Sequence, residues 1–207
     1  MNLSEPLDGL TSAVEAAALR VLARADTGFS GRQVHTLAGV GSTSSVHRAL
    51  TGLVRIGVVT AEPSPPSIMY RINRQHVLWP VIELGLAART RVFEGIRDFC
   101  KEQLPKTLGL TVMVYGSVAR RDSTLDSDID LFVVYPDGID EDARSDISYQ
   151  IANYLQRTTG SEAQLYAVER TELSQRIAEN DPLVANVLAD GILVCGPPLQ
   201  PATGRTA

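Results

Sequence analysis

The stretch Tyr115-Gly-Ser-Val-Ala-Arg-Arg-Asp-Ser-Thr-Leu-Asp-Ser-Asp-Ile-Asp-Leu131 lies between two apolar runs, Leu110-Thr-Val-Met-Val-Tyr115 and Leu131-Phe-Val-Val-Tyr135. Both runs read as buried strands. Gly116-Ser117 is a small-residue turn leaving the first run, and Asp128-Ile-Asp130 leads into the second. Residues i and i+2 of a strand share a face, ~6–7 Å apart. Asp128 and Asp130 therefore present two carboxylates side by side, while Ile129 and Leu131 face the core. Such a pair suits a hard divalent cation, which is Mg²⁺ where a nucleoside triphosphate shares the site. Gly116 lets the backbone approach a phosphate closely. A helix opening near Val118 would add the Ser117 hydroxyl and free N–H groups as an anion site. Phosphate cradle and metal carboxylates together point to phosphoryl or nucleotidyl transfer.

The same stretch resembles the signature of the DNA polymerase β-like nucleotidyltransferases, in particular the small minimal nucleotidyltransferases. Their pattern reads Gly-Ser-x-Ala-Arg-Gly followed by Ser-Asp-Ile-Asp-Leu. Gly116, Ser117, Ala119, Arg120, Ser127, Asp128, Ile129, Asp130 and Leu131 match it. Arg121 departs from it, standing where the pattern has glycine, and affects the turn more than the chemistry. The resemblance implies nucleotide contacts from Gly116, Ser117, Arg120 and Ser127, and a catalytic, Mg²⁺-binding role for Asp128 and Asp130. It also implies transfer of AMP from ATP to a hydroxyl of a protein or RNA, in a toxin–antitoxin or defence setting.

Transferases of this kind generally carry a third acid on the strand after the long helix. That strand is 162–168 here, and its central position is Gln164. A carboxamide offers a metal its carbonyl oxygen but accepts no proton at neutral pH. Glu162, two residues earlier, lies on the same face. Both are candidates for the third ligand. Transfer by a site with one well-held metal, and nucleotide binding without turnover, are both open on this reading.

Upstream, apolar residues at helical spacing predict helices over 14–25, 31–38 and 43–56, with Val34 and Leu37 of the second facing inward. Ser30 and Ser42 or Thr43 stand as N-caps, and Gly57 follows the third helix as a left-handed stop. Two β-rich runs, 58–60 and 68–72, flank a Pro-rich tip and predict a hairpin. Three helices and a hairpin make the layout of a winged helix-turn-helix over residues 10–75. Thr43, Ser44, His47, Arg48 and Thr51 would then meet a major groove of duplex DNA, and Arg55 and Arg71 its phosphates. The wing tip has no Lys or Arg and one acid, which leaves a protein-docking role open.

Residues 76–107 predict a connecting helix, with Val77, Val81, Leu84, Ala88, Val92, Ile96 and Phe99 spaced to pack on one or both domains. The transferase domain follows at 108–196, and the Pro/Gly-rich 197–207 reads as a flexible tail. The fold class expected is α+β: a winged helix-turn-helix, a connecting helix and a small mixed-sheet transferase domain.

Charge is divided unevenly. Residues 1–75 carry seven arginines against five acids, whereas residues 109–207 carry seven arginines against fifteen acids. The acidic half is a poor glove for nucleic acid by itself; the mildly basic half is compatible with DNA. No apolar run reaches transmembrane length, and the start of the chain lacks a signal-peptide pattern. Cys100 and Cys195 are too few for a disulfide framework or a zinc site and read as buried thiols. A cytoplasmic protein with no membrane partner, able to form a homodimer, is the expectation. The competing reading is a DNA-binding regulator whose degenerate transferase domain senses nucleotide or binds a partner.

Overall fold

The computed structural model describes residues 1–104 and 109–199. Positions 105–107 of the expected connector, position 108, and 200–207 of the expected tail lie outside the described residues. The chain divides into two units, one of Asn2 and residues 4–88, the other of Met1, Leu3 and the chain from Arg89 onward. The architecture is α+β in both. No helix among the described residues is long and apolar enough to cross a membrane.

The first unit opens with α1 (Ala13–Ala23), started by a capping box between Ser12 and Glu15. A two-residue strand, β1 (Phe29–Ser30), leads into α2 (Gly31–Ala38), capped by Ser30 and Gln33. Gly39 and Gly41, both at positive φ, make the turn to α3 (Thr43–Arg55). The wing is β2 (Val59–Ser64) and β3 (Ser67–Ile72), paired antiparallel to the tip at Ser64 and Ser67. The strands thus run further into the Pro-rich segment than composition suggests. β1 adds to the far side of β3 through Phe29 opposite Tyr70, giving the order β1-β3-β2. Ala17, Leu22, Val34, Val46, Leu50 and Tyr70 fill the core. Leu37 is exposed, contrary to the expectation for α2, and Ala38 takes the inward place. Residue i+4 from Val34 lies more nearly above it than i+3 does.

The expected connector is two helices, α4 (Trp79–Leu86) and α5 (Ala88–Gln103), broken at Ala87. Ile82 and Leu86 of α4 pack against the first unit's core, and Trp79 is buried with the Arg74 guanidinium over its ring. Val77, Val81 and Leu84, spaced to be buried, are exposed instead. α4 is apolar around its circumference, so periodicity alone could not choose its inner face; the largest side chain, Trp79, is on the buried one.

In the second unit, α5 precedes β4 (Thr111–Val114), α6 (Gly116–Arg120), β5 (Ile129–Tyr135), α7 (Glu141–Thr159) and β6 (Ala163–Glu169). α8 (Arg170–Ala178), α9 (Pro182–Asp190) and β7 (Ile192–Cys195) follow. The sheet order is β6-β5-β4-β7, with β5 and β6 parallel and the other pairs antiparallel. α7 supplies the crossover that a parallel pair requires; Asp140 caps its start and Gly160, at φ 73°, its end.

β5 is buried along nearly its whole length because both sheet faces are covered. Ile129, Leu131, Val133 and Tyr135 face Phe93, Ile96 and Cys100 of α5 and Ile147, Ile151 and Leu155 of α7. Phe132 and Val134 face Leu173 of α8 and Val184 and Val187 of α9. Asp130 belongs to this second face by alternation, at the end of the strand where the apolar cover gives out.

Candidate active site

Backbone register brings the site together. Tyr115 N–H donates to the Asp130 carbonyl at 3.0 Å, so the turn after β4 lies on the start of β5. Gly116 sits there at φ 66°, with its Cα against the Asp130 side chain; a Cβ would collide with Oδ2. Helix α6 begins at Gly116 itself, with Tyr115 as an N-cap whose side chain makes no capping bond. The first-turn N–H groups around Ser117 are therefore available to an anion.

Asp128 and Asp130 are both half-buried. Burial first, and then the neighbouring Asp128 carboxylate, pushes Asp130 above the usual carboxylate range, while Arg120 pulls it back. A buried carboxylate with a second carboxylate beside it forms a site whose repulsion a divalent cation relieves. Among the described residues no group of three or more His, Cys, Asp or Glu forms a metal cluster. The oxygen donors present fit Mg²⁺, with further ligands left to phosphate and water.

Gln164 stands opposite Asp130 in the parallel register and donates its side-chain N–H to Asp128 Oδ2. Glu162 is exposed just before β6, and its carbonyl accepts from Ile129 N–H at 2.9 Å. Of the two third-ligand candidates, Gln164 is the one whose side chain touches the acid pair.

The loop between α6 and β5 is held by its own polar groups. Ser127 Oγ accepts from Thr124 N–H at 2.9 Å and lies 3.2 Å from Thr124 Oγ1. Its hydroxyl thus serves loop closure. Arg120 Nε bonds Asp122 Oδ2 at 3.3 Å, which leaves the guanidinium exposed with other N–H groups free to turn toward phosphate. Arg121 ends α6 in the left-handed conformation, φ 66° and ψ 34°. That geometry explains glycine in the motif at this position: a side chain there costs ~1–2 kcal/mol.

Two further contributors come from outside the motif. Arg89 donates to the Val118 and Ala119 carbonyls at 3.0 and 3.3 Å and stacks on Phe93, tying off the C-terminal end of α6. Burial, then the Arg121 charge, lowers its proton affinity. Nothing in its local sequence marks a bond spanning 29 residues. The second contributor is an aromatic row behind Asp130. Tyr115 meets Phe132 edge-on, Phe132 stacks on Tyr166, and the Arg176 guanidinium lies over the Tyr166 ring. Burial, followed by Asp130 and Tyr166, raises the Tyr115 phenol. Alternation along β4, β5 and β6 was the available signal.

In the first unit, Thr43, Ser44, His47, Arg48, Thr51 and Arg55 are all exposed on α3, opposite buried Val46, Ala49, Leu50 and Leu53. Thr51 Oγ1 donates to the His47 carbonyl at 2.9 Å, so its hydroxyl lies along the helix. Arg71 is on β3, 3.9 Å from Glu62 on β2, and its charge is partly neutralised across the wing. Arg32 was missed: it lines a groove with His47 and the wing residues Pro65, Pro66 and Ser67. His76 is structural, its Nε2 lying 3.0 Å from the Ile56 carbonyl.

Residues 96–196 match the family model for polymerase beta nucleotidyltransferases. No curated protein gives a significant match to the chain. Among solved structures, a MarR-family transcriptional regulator from Silicibacter pomeroyi is 24% identical, covering 51% of this chain and 74% of its own, with a TM-score of 0.37. TrmBL2, an archaeal chromatin protein described as showing a novel mode of DNA binding, is 14% identical, covering 88% of this chain and 76% of its own, with a TM-score of 0.32.

Proposed function

We propose that the nucleotidyltransferase domain binds a Mg²⁺-complexed nucleoside triphosphate, ATP above all, and transfers its monophosphate to a hydroxyl of a protein or RNA, while the winged unit binds duplex DNA. The observation that carries the transfer reading is Asp130 seated against Gly116 with the Asp128 carboxylate beside it, which puts two hard ligands at the turn that opens α6. Gly116, Ser117 and the open N–H groups of α6 hold the phosphates, and Arg120 offsets their charge. Mg²⁺ held by Asp128 and Asp130 supplies Lewis-acid stabilisation of the phosphates. The acceptor oxygen bonds to the α-phosphorus as the bond to pyrophosphate breaks. Gln164 cannot take the acceptor's proton, which therefore passes to bulk water.

The position of Gln164 favours a second reading, in which the domain binds nucleotide without turning it over and reports to the DNA-binding unit. A carboxamide donating to Asp128 brings no negative charge to a second metal. Incubation with α-labelled ATP, Mg²⁺ and host lysate separates the two. Label transferred to protein or RNA supports the enzyme; saturable binding without transfer supports the sensor, and no nucleotide binding at all removes both. Gln164→Glu, adding a ligand and a base, should tighten Mg²⁺ binding and raise any transfer ~10-fold or more. Superimposable Mg²⁺ titrations of this variant and wild type would place Gln164 outside the metal site.

The DNA reading rests on the polar and basic outer face of α3 beside the wing. The chain should retard duplex DNA at low salt, with affinity falling steeply as salt rises. Arg48→Ala should cost ~1–3 kcal/mol on a preferred sequence if it meets a guanine edge. Absence of any retardation at low salt would leave the winged unit as a protein-docking module.

A further inference from the structure

Helix α4 has two apolar faces and one core to bury. Trp79, Ile82 and Leu86 take the inner face. Val81 and Leu84 lie on the opposite side at 64% and 52% exposure, and Val77, in the turn before the helix, is 83% exposed. Leu78 is exposed beside them, and so is Ile56, which the His76–Ile56 hydrogen bond holds next to the start of the helix. Glu83 is the one charged residue between Trp79 and Leu86. A helix apolar all round is normally a buried helix.

We infer that this outer face of α4 is a reversible interface with a second copy of the same chain. The stripe is nearly free of charge, so a two-fold mate meets it without like-charge conflict, as an isologous contact requires. The bare side chains amount to roughly 300–400 Å² of apolar surface per copy. A symmetric pair therefore buries about 600–800 Å² from these residues alone, against ~1,000–1,200 Å² for a stable specific interface. That area fits a weak dimer rather than an obligate one. A DNA-binding unit with few unpaired cations on its reading face gains from this arrangement, because two linked copies engage two half-sites. This last gain rests on the proposed DNA binding; the interface itself does not.

Sedimentation velocity on the full chain, without DNA or nucleotide, tests the interface. Wild type should pass from monomer to dimer with a Kd of about 10–100 µM. Val81→Glu and, independently, Leu84→Lys should remain monomeric across the range with an unchanged melting temperature, since both side chains are already exposed. Tyr149→Glu, at another exposed apolar position (69%) on α7, should dimerise like wild type. A wild type monomeric throughout, or α4 variants that dimerise as well as wild type, would overturn the inference. Because DNA is absent, a failed DNA-binding assay leaves this result standing, and the reverse also holds.

Discussion

Asp130→Asn should abolish Mg²⁺-dependent nucleotide binding while making the metal-free protein more stable. Removing one of two hard anionic ligands should weaken binding of Mg²⁺ and a non-hydrolysable ATP analogue at least ~100-fold, about 2.7 kcal/mol. The stability gain follows from the raised proton affinity of Asp130, caused first by burial and then by Asp128. A carboxyl whose folded pKa is raised favours the folded state fully below its unfolded pKa. That contribution is lost as pH rises through the folded value. At neutral pH the ionised group therefore opposes folding, and its neutral isostere does not. Asp130 remains half-exposed, so screening keeps the gain small, a rise of about 1–3 °C in Tm in chelator. The difference between variant and wild type should shrink as pH falls into the carboxylate range. Calorimetric titration and thermal melts over pH check both halves. Wild-type affinity in the variant would remove Asp130 from the metal site, and a lower Tm in chelator would show that its carboxylate has a structural role.

Gly116→Ala should damage fold and site together. Gly116 has φ 66°, and an added Cβ would meet Asp130 Oδ2 in hard collision, with Cγ at 3.0 Å and Cβ at 3.3 Å. The left-handed backbone costs ~1–2 kcal/mol for a residue with a side chain, and forcing Asp130 aside costs ~1–3 kcal/mol. A loss of ~2–5 kcal/mol follows, or roughly 5–20 °C in Tm. Gly138→Ala is the control that separates the two causes. Gly138 has φ 75°, but nothing lies within 4 Å of its would-be Cβ, so it should lose only the backbone part. Gly116→Ala should also lose nucleotide binding even where it is fully folded, because Asp130 is displaced. Equal melting temperatures for the two variants would show that the Gly116–Asp130 approach carries no energetic weight.

Some of this protein was determined by its sequence alone. Alternation puts Asp130 with Phe132 and Val134 on one face of β5, and Ile129 with Leu131 on the other. Ser12, Ser30 and Asp140 start helices, and Gly160 ends one. Gly116-Ser117 and Asp128-Ile-Asp130 mark the turn and the carboxylate pair of the candidate site. All of these follow from interactions within a few residues, where spacing fixes geometry. Other features required the tertiary structure. The parallel register that lays Gln164 against Asp128 is set across the 19-residue helix α7, whose length does not dictate which residues pair. Arg89 reaches the end of α6 only through folding, and β1 finds β3 across some forty residues. On α4 local periodicity was ambiguous, because both faces are apolar. Packing resolved it by burying Trp79 and leaving Val81 and Leu84 outside, since only contacts distant in sequence distinguish two faces of equal hydrophobicity.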